Sequence, residues 1–194
     1  NALMLCIEVC SAAYVFDDTF RTAIVNSLFG DGYAAALVRA DPRDERRDAP
    51  RILGFNSHII TDAIGAMRYD WDEEAGKFSF YLHPDIPYVV GANARKPVLR
   101  LLSRFGLRKR DIAHWVVHSG GKKVVDAVKY KLGLTAHDVR HTTSVLRDYG
   151  NLSSGSFLFS MQRLLREGTV RRGDYGFLMT MGPGSQIETA LVQW

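Results

Sequence analysis

Two polar residues stand where apolar stretches end, the positions at which folds build sites. His118 closes the run "AHWVV" and is followed by Ser119, Gly120 and Gly121. Paired glycines let a ligand approach the backbone closely. A helix opening after them aims its first amide groups at an anion or a developing oxyanion. Asn151 stands between Gly150 and the small residues Ser153, Ser154 and Ser156, which lead into Phe157, Leu158 and Phe159. Its side-chain amide is a donor that does not titrate. Each residue also has a plainer reading. His118 would cap a strand-to-helix turn, and Asn151 would be an N-cap, a role worth ~1 kcal/mol for which Asn and Ser are favoured. Taken singly, the residues favour the plainer readings. The serines compete for the same capping role, which leaves Asn151 freer for other work. Gly182-Pro183-Gly184 is a hairpin loop on the plain reading, and it is also well placed to wall a pocket.

Other chemistries find less support. His137 and His141 are four apart, but no third ligand follows at regular spacing, so no metal site is expected. There is no GxGxxG fingerprint and no Walker loop. Trp71, Trp115 and Trp194 read as packing residues. The two cysteines, Cys6 and Cys10, sit in or beside an apolar run, which points to a reducing compartment rather than a disulfide framework. The 25 basic residues exceed the 21 acidic ones by four, too few to argue for nucleic acid but suited to an anionic small ligand. No apolar run reaches the ~18 residues of a membrane span.

The elements that must position these groups follow from periodicity. The 194 residues give room for one domain with a sizeable core. Residues 2–9 read as a buried strand with Glu8 as its one charge. Such a strand needs neighbours on both sides, so part of the working protein is expected upstream of Asn1. A helix over 20–28 is followed by a tight turn at Gly30 and Gly32 and a small-residue strand over 33–38. Asp41 to Pro50 is a boundary, with seven charged residues and two prolines in ten. Beyond it, "RILGFNSHII" is a strand, "DWDEEAG" an acidic loop and "KFSFYL" a second strand. Residues 87–105 read as a helix with Val90, Ala94, Val98, Leu101, Leu102 and Phe105 on one face, and Pro97 predicts a kink or break. A strand ending at His118 leads through a turn to a helix over 122–132. A stronger helix over 153–166 presents Phe157, Leu158, Met161, Leu164 and Leu165, and Gly168 stops it. "YGFLMTM" and "IETALVQW" are the last two strands, joined by a turn. This order is a layered α/β design, with sites at strand ends.

Four of these stretches together carry a resemblance. "LFGDGYAAALV", "HWVVHSGG", "LRDYGNLSSGSFLFSMQRLL" and "MGPGSQIETALV" occur in this order and approximate spacing in type III polyketide synthases, the chalcone-synthase-like branch of the thiolase superfamily. The resemblance runs from about Ala2 to Trp194 and is weakest between Asp41 and Pro87. It implies the latter part of a thiolase-like α-β-α-β-α fold. Residues 1–40 would then end the N-terminal half, 41–50 would be a linker, and 51–194 would be the C-terminal half.

The resemblance also implies a Cys-His-Asn triad, with the His on His118 and the Asn on Asn151. The family's nucleophilic Cys matches neither Cys6 nor Cys10 and would lie in a missing N-terminal segment or a companion chain. The implied reaction is acyl transfer: malonyl-CoA loses CO2, and the enolate attacks a Cys-bound thioester. The sharpest form gives a dihydroxyphenylacetyl thioester for antibiotic biosynthesis. CoA thioesters are substrates, and no cofactor, metal, nucleic acid or membrane partner is implied. A cytoplasmic homodimer is. Phe80 matches an aromatic gatekeeper, and Leu53 falls near the other. Ser153, Met181 and Cys10 match cavity-lining positions, Lys122 and Lys123 a CoA contact, and Gly182, Pro183 and Gly184 the cavity loop. The family's Pro after the catalytic His is Ser119 here. Two alternatives remain: a ketoacyl synthase of the fatty-acid initiating type, and a catalytically silent thiolase-fold partner subunit.

Overall fold

Four strands, three of which carry buried apolar residues, form the central sheet. A computed structural model describes residues 1–40 and 49–194. The sheet is ordered β3-β8-β7-β6, from β3 (Arg51–Ile59), β8 (Gln186–Gln193), β7 (Tyr175–Gly182) and β6 (Ile112–Val117). β6 and β7 are parallel, and the other pairs are antiparallel. The α2 (Ile86–Ser103) and α3 (Lys122–Leu132) helices cover one face. Their Val90, Ala94, Val98, Leu101, Val125 and Val128 pack with Trp115, Val117, Phe177, Met179 and Leu191 of the sheet. The opposite face is covered by α5 (Ser156–Glu167), whose Leu164 packs with Val116, Leu178 and Val192. α4 (Arg140–Tyr149) lies beside α5. The result is a helix–sheet–helix sandwich in which side chains alternate between two apolar layers.

Two smaller sheets flank this frame. β1 (Ala2–Glu8) pairs antiparallel with β2 (Gly32–Val38), and α1 (Phe20–Leu28) lies between them in the chain. β4 (Met67–Asp72) and β5 (Lys77–Leu82) form a hairpin. One face of that hairpin is apolar throughout, because Met67 pairs with Leu82, Tyr69 with Phe80 and Trp71 with Phe78.

Several expectations are corrected. The 2–9 strand forms, but Leu3, Leu5 and Ile7 on one face are 62%, 57% and 61% exposed. No described element covers them. Gly30 and Gly32 make no turn. A side chain at Gly30 would strike the Tyr149 carbonyl, and one at Gly32 would crowd Leu152. The glycines serve close approach to the segment carrying Asn151. Trp71 and Asp72 belong to β4, and the acidic turn is limited to residues 73–76. Trp71 is half exposed, edge-on to Phe78 at 5.2 Å, whereas Trp115 and Trp194 pack as expected.

The α2 helix runs through buried Pro97 without a break. Val90 and Ala94 before it and Val98, Leu101 and Leu102 after it hold the helix to the core, which outweighs one lost hydrogen bond. Phe105 lies beyond the helix and rests on Gly54. The helix expected from 153 opens as a short 3-10 turn, Ser153–Gly155, before α5 begins, and Gly168 closes it with φ 72°. On α5, Leu165 is exposed rather than core-facing. α4 had no sequence signal strong enough to read, since its buried residues are only Thr142 and Val145. The charged boundary over 41–50 lies, for residues 41–48, outside the described residues.

Candidate active site

β6 delivers His118 to the end of the sheet. The His118 amide donates to the Met179 carbonyl at 2.8 Å, which carries the β6–β7 ladder one residue past the strand. The residue is buried, and burial lowers its imidazole from the usual 6.5 to about 4. The ring is therefore neutral at pH 7, with one N–H to donate and one nitrogen to accept. Gly120 and Gly121 follow, and α3 opens beyond them.

Asn151 is held by its backbone on both sides. Its amide donates to the Leu28 carbonyl at 2.9 Å, and its carbonyl accepts from the Gly30 amide at 3.0 Å. Gly150 reverses the chain out of α4 with φ 76°, and a side chain there would meet the Leu28 carbonyl. The Asn151 side chain is oriented as well. Its Oδ1 accepts from the Ser153 amide at 2.9 Å and from Ser156 Oγ at 3.5 Å. Nδ2 makes no hydrogen bond among the described residues. The two ends of the amide are thus used differently: the oxygen organises the turn, and the nitrogen is left over. Ser156 Oγ also accepts from the Leu152 amide at 3.0 Å, while the Ser154 amide and hydroxyl both bind Glu8 Oε1.

His118 and Asn151 line one cavity of about 430 Å³. Gly120, Phe80, Ser153, Met181, Gly182 and Pro183 share its wall. Phe80 meets the edge of Phe29 at 5.2 Å and lies 5.0 Å from Tyr69, so three rings line the hairpin side. The other expected residues lie outside the wall. Cys10 follows β1, and burial, with Glu8 and Asp31 nearby, raises its thiol to about 11. Leu53 packs against the main core. Lys122 pairs with Asp126 at 2.7 Å, and Lys123 is exposed. The Gly184 amide donates to the Met67 carbonyl at 2.8 Å, which ties the loop to the hairpin base.

The sequence reading did not single out Phe29, Tyr69, Thr180 or Glu188 as wall residues, nor Glu8 as part of the site. Glu8 and Glu188 did carry a signal, each being the sole charge of an apolar strand. Tyr69 was hidden beside the stretch read as a loop. Among the described residues no cluster of three metal-ligating side chains occurs, and no helix is long and apolar enough to cross a membrane. His141 instead meets Glu167 at 3.1 Å.

A neutral imidazole and an amide nitrogen with no hydrogen bond among the described residues line one cavity at a strand end, an arrangement whose chemistry suits an oxyanion. The chain belongs to the chalcone and stilbene synthases, whose C-terminal domain matches residues 58–194. It is 67% identical over 192 residues to a 3,5-dihydroxyphenylacetyl-CoA synthase of Amycolatopsis orientalis, with 99% of this chain and 51% of that protein covered. Identity to the synthase of the same name from Streptomyces toyocaensis is 64% over 196 residues, with 100% and 50% covered. The fold matches the crystal structure of 1,3,6,8-tetrahydroxynaphthalene synthase of Streptomyces coelicolor A3(2), a bacterial type III polyketide synthase. There the TM-score is 0.89 and the identity 31%, with 99% of this chain and 53% of the other covered. The fold is therefore the latter part of a thiolase-like architecture, and the chain spans about half the length of the curated relatives it matches.

Proposed function

We propose that this chain supplies the oxyanion-stabilising half of an acyltransferase that condenses malonyl-CoA units and cyclises the product, giving 3,5-dihydroxyphenylacetyl-CoA for antibiotic biosynthesis. The observation that carries this reading is the convergence of His118 and Asn151 on one cavity wall. Malonyl-CoA loses CO2, and the electron pair left behind places negative charge on the thioester oxygen. The His118 N–H and Asn151 Nδ2–H donate to that oxygen, each contributing about 3 kcal/mol to the transition state. The neutral state of His118 suits donation. The enolate carbon then attacks a Cys-bound thioester, and the cycle repeats.

We place the nucleophilic Cys outside this chain, on an N-terminal segment or a companion chain. Cys6 and Cys10 do not line the cavity, and burial disfavours the Cys10 thiolate. Phe80, Ser153, Met181, Gly182 and Pro183 would shape the chain of the growing product. Lys122 and Lys123, at the mouth of α3, would meet CoA phosphates. On this reading residues 1–40 end one thiolase-like half, residues 51–194 form the other, and the assembled enzyme is a cytoplasmic homodimer without a cofactor.

Purified full-length protein given malonyl-CoA alone should release CoA and an aromatic product. A requirement for a separate aromatic starter would remove the dihydroxyphenylacetyl assignment. Strict dependence on an acyl carrier protein would favour a ketoacyl synthase of the fatty-acid initiating type.

A further inference from the structure

The strand register places four polar residues in one row across the sheet. Thr180 on β7 pairs with Glu188 on β8, and Glu188 pairs with Ser57 on β3. The hydrogen bond from the His118 amide to the Met179 carbonyl continues the parallel β6–β7 register, so His118 stands opposite Thr180. Laterally paired residues share a sheet face. His118, Thr180, Glu188 and Ser57 therefore occupy one face at one level. The next row on this face is Val116, Leu178 and Ala190, part of the apolar layer beneath α5. A polar row directly above an apolar one has no packing rationale. Three of its four members line the cavity.

Glu188 is held at one oxygen only. Ser57 Oγ donates to its Oε2 at 2.5 Å, and Oε1 makes no hydrogen bond among the described residues. Two strand spacings separate Glu188 from His118, about 10 Å. Glu8, the other carboxylate in the wall, receives two hydrogen bonds from Ser154 at one oxygen and ties β1 to the turn after Asn151. That oxygen is committed to the turn. Glu188 is the less encumbered carboxylate, and it faces the part of the cavity away from the thioester donors.

We propose that Glu188 is the general base for ring closure of the poly-β-ketone chain, an inference that rests on the condensation reading above. With the thioester end held at His118 and Asn151, Glu188 meets carbons several bonds along the chain. Its Oε1 takes a proton from the terminal CH3 of the chain, next to the last ketone, and the C–H electron pair becomes an enolate. The enolate carbon bonds to a ketone carbon, whose oxygen takes the electron pair of the C=O bond. That alkoxide recovers the proton from Glu188, which returns to carboxylate. Loss of water from the ring alcohol then leads to the aromatic product. No oxidant or reductant is consumed.

The test uses the full-length protein and reads the ratio of cyclised product to CoA released from malonyl-CoA. Glu188→Gln keeps the shape and an acceptor for the Ser57 hydroxyl, so the fold is retained, as an unchanged thermal midpoint would show. The ratio should fall at least tenfold in Glu188→Gln, with open-chain or lactone products in place of the ring, and recover in part in Glu188→Asp. Ser57→Ala, which loosens the carboxylate without removing it, should lower the ratio less. An active wild type whose ratio is unchanged by Glu188→Gln overturns the inference alone. A wild type that releases no CoA from malonyl-CoA overturns the condensation reading and the inference with it.

Discussion

The Ser153 amide donates to Asn151 Oδ1 over 2.9 Å, so the turn that Asn151 opens also aims its nitrogen. Substitutions at this residue should separate the two ends of the amide. Asn151→Ala loses both, and should lower malonyl-CoA decarboxylation by about 10²–10³-fold and stability by about 1 kcal/mol. Asn151→Asp keeps the acceptor for Ser153, so its urea midpoint should match wild type. Its decarboxylation, followed as released CO2, should fall at least as far as in the alanine variant, because a carboxylate repels the enolate.

Burial of His118 predicts a pH dependence of stability. The folded imidazole titrates at about 4, below its ordinary 6.5. Between these values the unfolded chain binds a proton that the folded chain does not. Stability is then full above about pH 6.5 and declines as pH falls toward 4, by on the order of 3 kcal/mol in total. Urea unfolding at pH 7 and pH 4.5 should show this loss in wild type. His118→Gln should remove that part of the slope.

Gly30→Ala tests the backbone clamp on Asn151. The added methyl meets the Tyr149 carbonyl, which belongs to backbone and yields little. Stability should fall by about 1–3 kcal/mol. Decarboxylation should fall further than the folded fraction does, because the Gly30 amide also fixes the Asn151 carbonyl. Activity and circular dichroism measured on one sample would separate the two losses.

Lys122 and Lys123 should act on binding. Charge removal at either, as Lys122→Ala or Lys123→Ala, should raise KM for malonyl-CoA about three- to tenfold, in keeping with ~1 kcal/mol for an exposed ionic contact. The difference should shrink as salt rises, since exposed charges are screened. An effect on kcat alone, with KM and its salt dependence unmoved, would argue against phosphate contact.

The sequence carried the main frame because its strongest periodic segments are also its core. α3 spans the expected 122–132, and the last two strands meet across the loop at Gly182. Readings failed where a pattern and its environment part company. β1 is as apolar as a buried strand, yet what covers a strand is a tertiary property that its own residues do not encode. α4 was missed because it buries a threonine and a valine, too narrow a stripe to stand out. Leu53 sits at an irregularity between Ile52 and Gly54 and packs against the main core, a placement that period-two alternation does not read. The Glu188 row could not be read at all, since register across four strands joins residues 57, 118, 180 and 188 only after pairing.

The reciprocal hydrogen bonds between residues 28–30 and Asn151 bear on recombination. Two related synthases joined within the 41–50 stretch would take Asn151 from one parent and the Leu28–Gly30 segment that grips it from the other. Such chimeras should stay active when the donor parents match at the residues that meet across the join, among them Glu8, Leu28, Phe29, Gly30, Phe80, Leu152 and Ser154. The boundary in composition is therefore not a boundary of the contacts that hold Asn151, which begin well before it.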